Sequence, residues 1–390
     1  MNLRLIYLYR NLTRNVRRTL LTCAAVGLPI MIYVLSMSVV HGVDKFLENS
    51  AKQLRIVVTQ KTSIVNPLPQ GHRRKIEALD PTQQRLTAVC GVQWIGGQRA
   101  NDPTPLSLMA ADHDSFIPAM PEYQLTPSEI EAWQKDRQAI IVGSGPAGQM
   151  GWKVGDRISI VPTLPPYRAM EFHVVSTAPD APDNQSIFFR KDFLDEELKK
   201  DGFPEGLVSF FFVKCASKKD LDDFRQLIDT TFAGSLDETR SLDEKTFMNE
   251  FIAQQFDLPR NLAILSGLTV FVAIMAAMNT MSMNFRDRIA EMATLKSLGF
   301  SGGFAFSLIQ TESLLLCSLG GLIGAMVPFI LFTFTPAKDF QVPLIVTLVV
   351  EMSTCLKALG IAVFIGVVAG LWPSWLAMRM HVVRALRNLE

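Results

Sequence analysis

Four long stretches without a single Asp, Glu, Lys or Arg decide what this chain can fold into. They are Thr19–Val40, Asn261–Phe285, Ser313–Ala337 and Ala358–Met378. Each exceeds the ~18 residues that a helix needs to cross roughly 30 Å of hydrocarbon. Pro29, Gly320, Gly321, Pro328 and Pro373 lie inside them, which membrane helices tolerate better than soluble ones. Mean hydropathy is +0.22 although 19% of the 390 residues are charged, so the charges are segregated from the apolar runs. That excludes a disordered chain and disfavours an ordinary soluble enzyme. A net charge of +1 leaves no overall basic excess for nucleic acid. The first stretch outruns the ~7–15-residue apolar core of a cleaved signal peptide, and it is read as a retained span.

Flanking charge orients the spans. Arg4, Arg10, Arg14, Arg17 and Arg18 precede the first, Arg286, Arg288 and Lys296 separate the second from the third, and Arg379, Arg384 and Arg387 follow the fourth. The connection between the third and fourth offers only Lys338, beside Asp339. The positive-inside rule therefore puts both termini and the second connection in the cytoplasm. The expected layout is an amphipathic N-terminal helix over 1–18, a span over 19–40, an extracytoplasmic domain over 41–260 and a span over 261–285. A cytoplasmic helix over 286–300, a span over 301–337, an outer connection over 338–357, a span over 358–378 and a cytoplasmic tail over 379–390 complete it. The fold class expected is an α-helical membrane protein with one-plus-three spans and a large mixed α/β domain between the first two.

The large insert has its own signals. Val43, Phe46, Leu47, Ala51 and Leu54 recur at helical spacing, so the first span is expected to continue outward as a stalk. Phe247, Phe251 and Leu258 suggest a matching stalk with a break at Pro259. Leu54–Thr59, Ala139–Val142, Arg157–Val161, Glu171–Val175 and Leu207–Cys215 read as strands. Ser217 and Asp220 have capping-box spacing before the amphipathic run Leu221, Phe224, Leu227, Ile228. Prolines at 103, 105, 118, 121, 165, 166, 179 and 182 punctuate the turns.

Chemistry-bearing motifs are few. Gly143-Ser-Gly145-Pro-Ala-Gly148 matches the dinucleotide fingerprint G-x-G-x-x-G, which would make the chain a membrane-anchored dinucleotide enzyme. Pro146 inside it, the turn-like Gly151–Gly155 after it and the lack of a second βαβ unit favour a glycine-rich turn before a hairpin. Asp112-His113-Asp114 reads as a solvated acidic turn rather than a metal cage, and no H-E-x-x-H occurs. The five cysteines form no C-x-x-C; Cys23, Cys317 and Cys355 sit in or beside apolar runs, and Cys90 and Cys215 could pair in an extracytoplasmic domain. G-x-x-x-x-G-K-[ST] is missing from the 390 residues, so any ATP-driven role needs a separate subunit.

Five segments resemble one family. Arg14-Asn-Val-Arg-Arg-Thr-Leu-Leu-Thr22 is a basic entry into the first span. Phe285-Arg-Asp-Arg-Ile-Ala-Glu-Met-Ala-Thr-Leu-Lys-Ser-Leu-Gly299 resembles the R-x-R-x-x-E-x-x-x-L-K-x-L-G connection of the MacB/LolC–LolE/FtsX family of ABC transporter permeases. Gln310-Thr-Glu312 with Gly320-Gly-Leu-Ile-Gly324 is similar to that family's third helix. Gly370-Leu-Trp-Pro-Ser-Trp-Leu-Ala377 through Val383-Arg-Ala-Leu-Arg387 is similar to its terminal pattern, with Val383 departing from it. In the large domain, Val142–Ile160 resembles the family's V-x-G-x-x-x-A-x-x-x-G-x-x-x-G-D segment.

The resemblance implies a bacterial inner-membrane subunit that binds no cofactor itself, with ATP and Mg held by a partner ABC-type ATPase. It implies a second permease copy, as homo- or heterodimer, and allows a periplasmic adaptor protein. It also implies that residues 286–299 form the helix that couples to the ATPase. From the residues, Ile289, Met292, Ala293, Leu295 and Leu298 give a short apolar face, Arg286, Arg288, Glu291 and Lys296 cover the other side, and Gly299 suits the C-cap. Such a helix can dock in a partner's groove or lie on the lipid surface. Glu312 lies near the cytoplasmic interface of its span, where it reads as a helix anchor or partner of a basic flank rather than an ion site. Gly320, Gly321 and Gly324 suit close helix packing, within the chain or across a dimer. The function implied is ATP-driven export or extraction of lipoprotein, lipid, peptide or drug; mechanical signalling to extracytoplasmic partners, FtsX-like and without transport, is the alternative.

Overall fold

The structure, a computed structural model, describes residues 16–99, 102–178, 185–255, 258–335, 341–342, 346–347 and 350–380. The expected N-terminal helix up to residue 15, part of the third-to-fourth connection, Pro179, Pro182 and the tail from residue 381 lie outside them. The chain divides into two compact units. One holds Met1–Gly42, Asp257–Phe340 and Thr347–Glu390; the other holds Val43–Phe256 and Gln341–Val346.

Helix α1 (Val16–Lys52) contributes to both units. The second unit continues with β1 (Arg55–Gln60), β2 (Leu68–Pro69), α2 (His72–Glu77), β3 (Leu86–Trp94), β4 (Gly97–Arg99) and β5 (Asp102–Ala111). Next come α3 (Phe116–Ala119), α4 (Pro127–Lys135), β6 (Ala139–Val142), α5 (Ser144–Met150), β7 (Arg157–Val161), β8 (Met170–Ser176) and β9 (Ser186–Arg190). It ends with α6 (Lys191–Lys200), β10 (Leu207–Val208), β11 (Phe210–Cys215), α7 (Lys218–Phe232), β12 (Thr239–Asp243) and α8 (Glu244–Gln255).

The main sheet runs β12-β1-β11-β3-β5-β4-β7-β8-β6-β9, and β9 pairs back onto β5. Six strands, β5-β4-β7-β8-β6-β9, thus close a ring, which removes their edges. Leu106 and Leu108 of β5, Ile158 and Ile160 of β7, Phe172 and Val174 of β8 and Ile187 and Phe189 of β9 fill one core there. The other four strands extend from β5 as an open antiparallel sheet with both faces covered. Ile56, Val58, Phe211 and Val213 meet Leu221, Phe224, Ile228 and Phe232 of α7 on one face. Val57, Cys90, Val92, Phe210 and Phe212 join Phe116, Trp133 and Phe247 on the other. This explains why these strands read as near-continuous apolar runs rather than clean alternation.

Local chemistry sets the helix ends. Ser217 Oγ accepts from Asp220 N at 3.2 Å and starts α7. Thr126 and Glu129 form a complete capping box at α4. Three expectations are corrected. Gly143–Gly148 is not a turn before a hairpin: Gly143 caps α5, which runs seven residues between β6 and β7 and ends at Gly151 with φ +71°. A Cβ at Gly148 would meet open space, so this glycine does not serve a close approach. Asp112 is buried rather than solvated, because Gly91 N, Gln70 and Arg73 all donate to it. Its burial still holds its carboxyl above the ordinary value. Cys90 and Cys215 are both free. They lie in the cores on opposite faces of the sheet, which keeps their thiols from meeting.

The first unit adds α9 (Leu258–Asp287), α10 (Ile289–Ser297), α11 (Gly302–Phe334) and α12 (Met352–Arg379). Four helices, Thr19–Lys52, Arg260–Asp287, Gly302–Phe334 and Met352–Arg379, are long and apolar enough to cross a membrane. Each outruns its uncharged stretch; α12 begins six residues ahead of Ala358 and includes Lys357. Small residues set the crossings. A Cβ on Gly320 would lie 2.6 Å from Cys23 O, on Gly324 2.3 Å from Gly27 O, and on Gly321 2.1 Å from the Ala362 Cβ. The three glycines therefore pack α11 against α1 and α12 within the chain.

Candidate coupling site

Helix α9 stops at Asp287, and Arg288, at φ −116° and ψ 17°, turns the chain into the nine-residue α10. The far end is a Schellman motif: Phe300 N donates to Leu295 O at 3.2 Å and Gly299 N to Lys296 O at 3.1 Å. That geometry needs Gly299 at its φ of +92°. Ser301 then caps α11 by accepting from Phe304 N at 3.2 Å. Nine residues are too few for a stable free helix, so α10 depends on what it packs against.

It packs inward. Met292 and Ala293 are buried, and Met292 and Leu295 share a cluster with Phe285, Ala305, Leu308, Ile309 and Ala377. The apolar face expected to meet a partner is thus largely spent on α11 and α12. Arg288 also departs from expectation: it is buried rather than spread over an exposed polar side. The reason is Glu312, which is 3% exposed in α11. A carboxylate so placed needs close donors. Arg288 Nη1 supplies one at 2.7 Å and Asn284 Nδ2 of α9 another at 2.6 Å, while Arg288 Nε reaches Glu291 at 3.2 Å. Lys296 is half-buried and donates from Nζ to Met378 O and Met380 O, each at 2.9 Å. These carbonyls belong to the end of α12, where backbone acceptors lack helical partners and a cation is favoured. Burial lowers the Lys296 pKa.

Arg286, Thr294, Ser297, Leu298 and Gly299 remain exposed, Leu298 at 72%, and Phe300 packs at a tilt against Phe304 with ring centroids 4.8 Å apart. Ile289 and Glu291 are intermediate. Sequence reasoning assigned no contact to Asn284, Gln310 or Ser313. Gln310 Nε2 donates to Val367 O at 3.0 Å and Ser313 Oγ to Gly366 O at 2.8 Å, stitching α11 to α12. A polar residue inside an apolar run was the available signal for each. Among the described residues no cluster of His, Cys, Asp and Glu could hold a metal ion. The arrangement is a joint: one short helix is tied to α9, α11 and α12 by charge-assisted bonds and an apolar patch.

Residues 263–382 match the family model described as FtsX-like permease C-terminal. These residues form an FtsX-like permease domain. The joint lies wholly inside it. Across 412 aligned positions the chain is 21% identical to an uncharacterized ABC transporter permease of Methanocaldococcus jannaschii, covering 98% of this chain and 97% of that protein. A 149-residue stretch, 38% of this chain, is 26% identical to the macrolide export ATP-binding/permease protein MacB of Syntrophobacter fumaroxidans and covers 20% of it. The extracellular domain of the ABC-type transporter YknZ from Gram-positive bacteria aligns with a TM-score of 0.34 at 10% identity, over 48% of this chain and 99% of that one. The periplasmic region of MacB from Actinobacillus actinomycetemcomitans aligns with a TM-score of 0.34 at 7% identity, over 52% and 94%. The FtsX-like permease domain holds three of the four helices long and apolar enough to cross a membrane, consistent with a multipass membrane protein.

Proposed function

We propose that this chain is the membrane subunit of an ABC-type transporter and that a separate ATPase drives it through α10. The observation that carries the reading is the joint inside the FtsX-like domain. Force applied at α10 is shared among α9, α11 and α12 through Arg288–Glu312, Asn284–Glu312 and the Lys296 bonds to the end of α12. The docking surface is then the exposed end, Leu298–Gly299–Phe300 with Arg286, Thr294 and Ser297, rather than Met292 and Leu295. Arg288, Met292, Leu295 and Lys296 act by holding α10 in place, with Glu291 beside Arg288 and Ile289 opening the helix. The relatives named as an ABC transporter permease and as an ATP-binding/permease protein support the reading. Two copies, cytoplasmic termini and a cytoplasmic α10 follow from it and from the arginine-rich flanks, and the α/β unit faces the other side in a bacterial inner membrane. ATP and Mg belong to the ATPase. The cargo class is export or extraction of an amphipathic molecule, and an adaptor on the far side fits the same scheme.

The test is copurification of the tagged chain with a subunit that carries G-x-x-x-x-G-K-[ST]. Leu298→Asp puts a charge on the exposed end without touching the buried cluster. It should abolish copurification and stimulated ATP hydrolysis while thermal unfolding is unchanged. Intact copurification and hydrolysis in Leu298→Asp, or ATP hydrolysis by the purified chain alone, would overturn the reading.

A further inference from the structure

The α/β unit contains a cleft that the coupling scheme does not use, with about 50 Å³ of space inside it. Its wall is soft and aromatic, with Phe46, Met109, Met120, Phe188, Phe210 and Met248 prominent. That space is small, and methionine side chains reshape readily to widen it around a ligand.

Its polar groups are unusual. Arg55, whose side chain is 5% exposed, forks onto Glu244, with Nε to Oε2 at 2.7 Å and Nη2 to Oε1 at 2.8 Å. Its Nη1 also donates to Glu122 Oε1 and to Ala119 O at 3.1 Å. One guanidinium therefore serves two carboxylates. Among the described residues Glu122 Oε2 has no hydrogen-bond partner, and it is buried in a side chain only 10% exposed. Lys214, the cation across the ladder from Arg55, does not line the cleft, and its ammonium donates to Gln53 O. The lining thus holds two carboxylates beside one guanidinium, with one carboxylate oxygen left without a donor. Buried acceptors are ordinarily satisfied, and an unpaired one marks a missing donor.

We propose that this cleft binds a small hydrophobic amine as its ammonium ion, with an N–H donating to Glu122 Oε2 and the apolar body among the methionine and phenylalanine side chains. A methionine side chain shifts to let the ammonium reach the oxygen. An anionic ligand would meet like charge, and a hydrocarbon would leave the oxygen unpaired. The rings of Phe188 and Phe210 add a favourable surface for a cation. The inference concerns the α/β unit alone and stands whether or not an ATPase drives the membrane unit.

The experiment titrates the full chain in lipid nanodiscs with 4-phenylbutylamine, 4-phenylbutanol and 4-phenylbutanoate at pH 7, by saturation-transfer NMR, subtracting empty nanodiscs. The amine should bind saturably and about tenfold more tightly than the alcohol, the difference expected of a charge-assisted bond. The carboxylate should not bind. Glu122→Gln should bring the amine down to the level of the alcohol, and retained alcohol binding in that variant shows that the cleft is intact. Met109→Trp, which fills the cleft, should weaken both. Equal affinity for amine and carboxylate, or unchanged amine binding in Glu122→Gln, would overturn the proposal. If Glu122→Gln does not fold, unchanged amine affinity in Met109→Trp overturns it.

Discussion

Replacing Arg288 with Met tests the joint most directly. Glu312 is 3% exposed and takes donors from Arg288 Nη1 at 2.7 Å and Asn284 Nδ2 at 2.6 Å. Arg288→Met takes from the buried carboxylate its charged donor at 2.7 Å, which costs about 3–5 kcal/mol. Glu312→Met is milder, because Arg288 keeps Glu291 at 3.2 Å, a residue with 34% of its side chain exposed. A loss of about 1–3 kcal/mol is expected there. The double variant removes both charges and fills the space with thioethers of similar length, so it should fall within about 1 kcal/mol of the native chain. The interaction energy of the pair would then be at least about 3 kcal/mol, the upper end for residues in contact. Equilibrium unfolding in mixed micelles measures this, with Trp372 and Trp375 of α12 as intrinsic fluorophores. If the double variant is as unstable as the two single losses added together, the residues do not act as a pair and the joint is not built as described.

Gly320→Leu should destabilise the membrane unit by about 1–3 kcal/mol, since even a Cβ would lie 2.6 Å from the Cys23 carbonyl oxygen; unfolding in micelles at the native midpoint would contradict this packing. Burial pushes the Cys90 and Cys215 thiols up to about 12 from 9.0. Keeping them neutral adds stability that is complete below pH 9 and is lost as pH rises from about 9 to 12. Both should therefore resist maleimide at pH 8 until denaturant is added, and peptide mapping that finds either labelled in the native chain would contradict their burial.

Much of the fold was legible because its signals are local. Uncharged runs mark the helices able to cross a membrane, and Ala139–Val142 and Arg157–Val161 are strands with the bounds read from the sequence. Ser217 opens α7 as its spacing indicates. What escaped depends on distant partners. Strands β3, β5 and β9 carry prolines, glycines or polar residues that hide their period; the closure of β9 onto β5 accounts for the burial of those two, and β3 lies between β11 and β5. The fingerprint-like glycines misled because a seven-residue helix was hidden behind Pro146, which sits buried in its first turn, where proline is tolerated.

The same argument explains why α10 read inside out. Its apolar positions, 289, 292, 293 and 295, define a face at helical spacing, and a short amphipathic helix in a polar connection suggests a partner outside the chain. The residues that cover that face are Ala305, Leu308 and Ile309, beyond the next turn, and Ala377, more than eighty positions away. Nothing local distinguishes an apolar face met by another protein from one met by the same chain later on. The charges held the clue: Glu312 sits ten residues into α11, about 15 Å along its axis. At that depth a carboxylate requires a counter-charge from a neighbouring segment, and Arg288 supplies one at 2.7 Å. Once Arg288 is spent on Glu312, the helix is oriented, because residues four and five positions later must turn the same way. Met292 and Ala293 then face inward, while Leu298, ten positions after Arg288 and past the end of α10, remains on the surface.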